Sequence, residues 1–150
     1  MTRPTATDPA TLLLIEDQPS DAELALRALD ELDLYEAVHR VEDGAEALDF
    51  IFGRAAYAER GVEDVPDLIL LDLKLPKVGG HEVLRRLKAD ERTRRIPVVV
   101  LTSSREDGDV DRCYDLGVNS YVVKPVDFDQ FTSTVQRIGR YWLTVNERAA

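Results

Sequence analysis

Polar side chains that could do chemistry together directly follow four short apolar runs of this sequence. They are Glu16, Asp17, Asp72, Thr102, Ser103 and Lys124. If the runs are parallel strands, their carboxyl ends meet at one edge of the sheet, where open α/β sheets bind ligands. The pattern therefore predicts a site that contains three carboxylates, a hydroxyl and one lysine.

The chemistry of such a site follows from its charges. Three carboxylates placed together repel one another unless a cation neutralises them. Mg²⁺ suits this role because it binds a few carboxylates and keeps water and phosphate oxygens as further ligands, whereas zinc would favour His or Cys. With a lysine to hold an anion opposite the metal, the pattern predicts phosphoryl transfer to a carboxylate. Asp72 is the candidate nucleophile, since Glu16 and Asp17 stand together as the metal pair.

A structural interpretation of the same residues is that the acids cap helices and Lys124 pairs with one of them. Any single position fits that interpretation about as well as it fits a site. Four of the five predicted strand ends carry the pattern, and their agreement favours the site.

The apolar runs predict an α/β fold. Continuous runs are typical of strands that are covered on both faces of a parallel sheet, and a weaker alternating stretch at 37–41 predicts an edge strand. Helical patterns fill the gaps; Ser20 with Glu23 predicts a capping box for the first helix, and Asp127 with Gln130 caps the last. Five strand–helix repeats predict a parallel sheet with helices on both faces. The apolar runs are 12–15, 68–71, 98–101 and 121–123.

Composition excludes several classes of function. The chain has 150 residues, 19 basic and 29 acidic side chains and a formal net charge of −10, which disfavours binding to nucleic acid. No apolar run approaches the ~18 residues of a membrane span, and the first residues lack the apolar stretch typical of a signal peptide. The single cysteine fits a reducing compartment, so we expect a soluble cytoplasmic protein. We expect one domain at 11–143, between a flexible segment at 1–10 and a tail at 144–150.

The sequence resembles a bacterial response-regulator receiver domain over about residues 11–141. The resemblance implies a flavodoxin-like, doubly wound parallel sheet of five strands in the order 2-1-3-4-5 with five helices. It also implies a phosphorylation-dependent switch of a two-component system, and no enzyme activity beyond phosphorylation and dephosphorylation of the chain itself. The blocks that carry it are Ile15–Asp17, Leu71–Pro76 with Gly80, Leu101–Ser103 and Tyr121–Pro125.

Roles for the metal and phosphoryl residues come with this resemblance. Asp72 would accept a phosphoryl group from the phosphohistidine of a sensor histidine kinase. Asp17 and Asp72 would bind Mg²⁺, Glu16 would act through water, and the backbone carbonyl of Lys74 would complete the set. Lys124 would contact the phosphoryl oxygens, and the bond between Lys124 and Pro125 would be cis.

The resemblance also implies a switch. Phosphorylation adds charge and acceptor oxygens, and so biases an equilibrium between two existing arrangements. Thr102 would move to the phosphoryl group, Tyr121 would rotate inward, and the small Ser103 would leave the attacking face open. The surface formed by the fourth helix, fifth strand and fifth helix would change.

A finer similarity is to stand-alone regulators paired with phytochrome-type histidine kinases, through Leu75–Gly80 and Gly139–Leu143. It implies a bacteriophytochrome as a partner and a homodimer, with Tyr141 and Trp142 in the interface. An alternative interpretation is that Trp142 closes the core stripe of its helix. We expect no output domain after this helix, so the readout would be partner binding, dimerisation or phosphorelay.

Two rival functions are weighed against this one. A phosphatase of the haloacid-dehalogenase type needs a second acid two residues after the nucleophile, where this chain has Lys74. A phosphate-independent, receiver-like interaction module usually lacks one of the chemical residues, and here all are present. Gly79 also departs from the family pattern, which often has Asp before Gly80.

Overall fold

The computed structural model describes residues 10–60 and 64–149. Within these ranges five strands alternate with five helices, as the sequence predicts. The strands are β1 (Thr11–Ile15), β2 (Ala37–Val41), β3 (Leu68–Leu71), β4 (Val98–Thr102) and β5 (Ser120–Val123). The helices are α1 (Pro19–Leu32), α2 (Gly44–Phe52), α3 (Gly80–Ala89), α4 (Asp107–Asp115) and α5 (Phe128–Arg140).

The strands form one parallel sheet in the order β2-β1-β3-β4-β5, which confirms the flavodoxin-like topology. Strand β1 lies inside the sheet and pairs with two neighbours, so that Leu13 lies between His39 and Ile69. Because all strands run the same way, their carboxyl ends lie along one edge of the sheet.

Both faces of the sheet are covered, and for this reason the central strands are apolar throughout. Alternate side chains of a strand point to opposite faces. Leu13 and Leu71 therefore pack with residues of α2, α3 and α4, whereas Leu12 and Leu70 pack with residues of α1 and α5. The central strands are thus covered by apolar side chains on both faces of the sheet.

Of three local predictions, two helix caps and one cis peptide bond, the structure confirms one. The capping box at Ser20 is wrong, because α1 begins at Pro19 and the side chain of Gln18 makes no capping hydrogen bond; proline is well suited to the first helical position. The Asp127 cap is confirmed, since its side chain accepts a hydrogen bond from the Asp129 N–H. No cis peptide bond occurs in the described residues, so the cis expectation at Lys124 is also wrong.

The segment after α5 is not regular α-helix. After α5, residues Tyr141–Val145 form one π-helical turn, and the Arg148 guanidinium then pairs with Asp67 at 2.7 Å. Of the predicted flexible segment, residues 1–9 lie outside the described residues. No helix in the described ranges combines the length and apolar character that a membrane crossing requires.

Two adjacent glycines, Gly79 and Gly80, lie where α3 begins, and only Gly80 has no room for a side chain. The Gly80 N–H donates to the Leu73 carbonyl at 2.9 Å, and a Cβ at Gly80 would lie 2.5 Å from the Asp72 carbonyl oxygen. A Cβ at Gly79 would meet no atom within 4 Å. Gly80 therefore allows α3 to begin directly against the backbone of Asp72 and Leu73.

We predict that Gly80→Ala lowers the free energy of unfolding by about 1–3 kcal/mol, because a crowded backbone must move. Gly79→Ala is the matched control and should change it by less than about 1 kcal/mol. Urea denaturation of the three proteins measures both values. Equal stability of the two variants would contradict the close contact at Gly80.

Candidate functional site

The carboxyl edge of the sheet brings the predicted acids together. Glu16 and Asp17 follow β1, Asp72 follows β3, and one carboxylate oxygen of each lies within 4.8 Å of the others. Glu16 and Asp72 are only 3% and 6% exposed. Three carboxylates with so little access to water repel one another strongly, so the cluster needs a positive charge beside it.

Lys124 supplies that charge. It follows β5, and its Nζ lies 2.7 Å from Glu16 Oε1 and 3.1 Å from Asp72 Oδ2. A third carboxylate, that of Asp21 in the first turn of α1, lies 2.9 Å away. The lysine side chain is 8% exposed, so one buried ammonium joins acids from three segments of the chain.

The protonation of the site reflects burial and pairing. Burial raises the pKa of the Glu16 carboxyl to about 7, although the hydrogen bond from Lys124 acts in the opposite direction. Burial lowers the pKa of Lys124, but its hydrogen bonds to Asp21 and Glu16 and the charges of Asp72 and Glu16 together hold that pKa above its usual range. The lysine therefore stays charged at neutral pH.

One oxygen of the cluster indicates that a cation belongs here. Asp17 Oδ1 is buried, and no group among the described residues donates a hydrogen bond to it. An orphaned carboxylate oxygen beside two other carboxylates fits a hard divalent cation, which binds oxygen ligands. The donor set thus fits a divalent cation. The role of the Lys74 carbonyl stays a prediction.

Backbone groups fix the orientation of the acids. The Leu73 N–H donates to Asp72 Oδ1 at 2.7 Å, and the Gln18 N–H donates to Glu16 Oε2 at 3.2 Å. Glu16 and Asp72 therefore each keep one oxygen on the backbone and turn the other toward Lys124. Such fixed orientation reduces the reorganisation that a reaction at the carboxylate requires.

The predicted switch residues lie at the end of β4, which pairs with β3, and in β5. Thr102 is fully buried, whereas Ser103 is exposed. The Tyr121 hydroxyl donates to the Ser104 carbonyl at 3.0 Å, and Ser104 Oγ donates to Asp109 Oδ2 at 2.6 Å. Tyr121 is thus tied to the loop that carries Thr102 into α4.

Sequence reasoning missed two residues of the site. Asp21 contacts Lys124 directly, and Arg40 of β2 donates to the backbone carbonyls of Glu16 at 3.1 Å and Asp17 at 3.5 Å. Asp21 had a weak signal, since an acid in the first turn of a helix after β1 can reach the same edge. Arg40 had none, because an exposed edge strand commonly carries charge.

The two candidate interface aromatics differ in burial. Tyr141 is 45% exposed, whereas Trp142 is partly buried against the apolar cluster between the sheet, α1 and α5. Their rings meet edge to face with centroids 5.1 Å apart. Trp142 therefore closes the core, and Tyr141 is the one that faces outward.

Residues 12–136 match the family model of the response regulator receiver domain. The chain belongs to this family. Among curated relatives, the probable methanogenesis regulatory protein FilR2 of Methanothrix harundinacea is 45% identical over 94% of this chain and 88% of its own length. The response regulator Rcp1 of Synechocystis sp. is 37% identical over 90% of each chain.

Solved receiver structures agree with the fold and with the finer similarity. The phosphorylated cyanobacterial phytochrome response regulator RcpA is 37% identical with a TM-score of 0.88, over 95% of this chain and 99% of that one. The Mn²⁺-bound form of Rcp1 is 36% identical with a TM-score of 0.87, over 95% and 100%. The bacteriophytochrome response regulator AtBRR is 48% identical with a TM-score of 0.72, over 93% and 99%. This receiver domain therefore resembles phytochrome response regulators.

We predict that Lys124→Met destabilises the protein by about 3 kcal/mol in the presence of a chelator, because it leaves three acids without their shared cation. Saturating Mg²⁺ should then stabilise this variant more than it stabilises the wild type. Urea denaturation with chelator and with Mg²⁺ measures both effects.

Lys77→Met is the control for this experiment. Its ammonium pairs with Asp43 at 3.5 Å but is 70% exposed, so its loss should change stability by less than about 1 kcal/mol in either buffer. The central role of Lys124 would be refuted by an equally small change in Lys124→Met.

Proposed function

We propose that this receiver domain is a phosphorylation-dependent switch of a two-component system, with Asp72 as the phosphoryl acceptor. The observation that carries the proposal is the buried Lys124 ammonium held 3.1 Å from Asp72, in a cluster where Asp17 Oδ1 accepts no hydrogen bond from any described residue. An acceptor carboxylate, a fixed cation and a set of metal ligands are what phosphoryl transfer to an aspartate requires.

In the proposed reaction, a carboxylate oxygen of Asp72 attacks the phosphorus of a histidine kinase's phosphohistidine. The new O–P bond forms as the N–P bond breaks, and the histidine nitrogen leaves with the electron pair. Lys124 pairs with the phosphoryl oxygens and keeps them beside Asp72. Glu16, Asp17, Asp72 and the Lys74 carbonyl would hold Mg²⁺, which when bound offsets the charge of the transferred group.

The proposed response uses the residues around the β4 end. The Thr102 hydroxyl donates to a phosphoryl oxygen, and Tyr121 gives up the Ser104 carbonyl and turns inward. Ser103 leaves the approach to Asp72 open because its side chain is small. The exposed face formed by α4, β5 and α5 then changes shape, which a partner can read.

The proposed partner is a sensor histidine kinase of the phytochrome type, in the cytoplasm. Support comes from the similarity to Rcp1, RcpA and bacteriophytochrome response regulators. The domain at 11–143 would form a homodimer through α4, β5, α5 and the C-terminal segment, in which Tyr141 offers an exposed aromatic ring. Readout by dimerisation, partner binding or phosphorelay is compatible with this arrangement.

Incubation with acetyl phosphate and Mg²⁺ should add one phosphoryl group to the wild-type protein, as measured by intact-protein mass. Asp72→Asn should gain none. Asp67→Asn is a matched control, since Asp67 directly precedes β3 and Asp72 directly follows it. It should be phosphorylated like the wild type.

Other outcomes would change the assignment. Label that persists in Asp72→Asn would mean that another residue is the nucleophile. If the wild type gains no label, a titration with beryllofluoride decides the matter. Binding would indicate a short-lived phosphate, and its absence would favour the phosphate-independent interaction module.

Removal of the orphaned carboxylate tests the metal. Asp17→Asn should weaken Mn²⁺ binding by at least about tenfold, because it removes one of the few charged ligands that such a site offers. Isothermal titration calorimetry measures this, with the exposed α1 variant Asp30→Asn as the control. Unchanged affinity in Asp17→Asn would place the ion elsewhere.

A further inference from the structure

Asp21 is a fourth acid beside the site, and it differs from the other three in position and exposure. It lies in the first turn of α1, and its Oδ2 accepts a hydrogen bond from Lys124 Nζ at 2.9 Å. Its side chain is 32% exposed, against 4% for Glu16 and 7% for Asp72. Asp21 therefore reaches Lys124 from the solvent side of the site.

The acids that contact Lys124 would not all remain available to it in the working state. Glu16 and Asp72 belong to the carboxylate cluster that a divalent cation would neutralise, and Asp21 does not. Once Asp72 is phosphorylated, the Lys124 ammonium faces the phosphoryl oxygens on one side and Asp21 on the other. Two anionic groups then share one cation.

We propose that Asp21 competes with the phosphoryl group for Lys124 and so limits how tightly phosphorylated Asp72 is held. Asp21 acts through the lysine, which makes it a positioning residue rather than a catalytic one. This inference rests on the proposed function, because it assumes that Asp72 carries a phosphoryl group. It means that a residue of α1 helps to set how tightly Lys124 holds the phosphoryl group on Asp72.

The strength of the Asp21 contact supports competition. Among the interactions that raise the pKa of Lys124 against its burial, the hydrogen bond to Asp21 is the largest. A carboxylate 2.9 Å from the ammonium lowers the net positive charge offered to any anion at Asp72. The effect is moderate, because water partly screens a carboxylate that is one-third exposed.

Asp21→Asn separates charge from position. Asparagine has nearly the same size as aspartate and keeps an oxygen that can accept from Lys124, so the ammonium should stay in place. Only the negative charge is lost. Beryllofluoride, a phosphoryl mimic, should therefore bind Asp21→Asn about threefold to fivefold more tightly than the wild type in saturating Mg²⁺.

Two variants make the experiment specific, with affinities measured by fluorine NMR of bound beryllofluoride. Glu23→Gln removes the same charge from α1, but Glu23 is 71% exposed and pairs with Arg27, so its affinity should equal that of the wild type. Asp21→Glu keeps the charge and should not gain affinity. Urea denaturation confirms that each variant is folded.

The competition is overturned if Asp21→Asn binds beryllofluoride no more tightly than the wild type does. It is equally overturned if Glu23→Gln gains as much affinity, since the cause would then be the overall charge of α1. A wild-type protein that binds no beryllofluoride would instead refute the proposed function. The two failures are therefore distinguishable.

Discussion

A single buried ammonium group is the interaction on which the rest of this site depends. Lys124 Nζ lies between 2.7 and 3.1 Å from carboxylate oxygens of Glu16, Asp21 and Asp72. Without it, the acids at the ends of β1 and β3 would face one another in a poorly solvated place, where like charges repel strongly. The lysine makes the arrangement stable and keeps it attractive to a dianionic group.

The parallel sheet is what makes this concentration of charge possible. Its central strands are apolar on both faces, so the side chains at their ends leave the core together at one edge. At the same end of the sheet, hydrogen bonds link β5 to α4. Tyr121, Ser104 and Asp109 form a hydrogen-bonded chain, and Asp109 also contacts His81 of α3 at 3.1 Å. This chain of contacts joins β5 to α4 and α3.

The strands and the strand-end residues can be predicted from the sequence, because a doubly covered strand is a continuous apolar run and the residue after it lies at the ligand edge. Contacts between elements that are distant in sequence cannot be predicted in this way. Asp21 is 103 positions from Lys124, and their meeting depends on how α1 packs against the sheet. The capping box fails for a local reason, since Pro19 begins the helix before Ser20 can cap it. Burial of Trp142 likewise depends on the turn after α5.

Asp72 and Lys124 are 52 positions apart, and this separation has a consequence for protein synthesis. A ribosome releases the chain from its amino end, so Glu16 and Asp72 emerge well before the lysine that balances them. Strand β5, which Lys124 directly follows, is the last strand along the chain and forms one edge of the sheet. A nascent chain therefore carries the acids without their cation, and the charge-balanced cluster can form only when nearly the whole domain has left the ribosome.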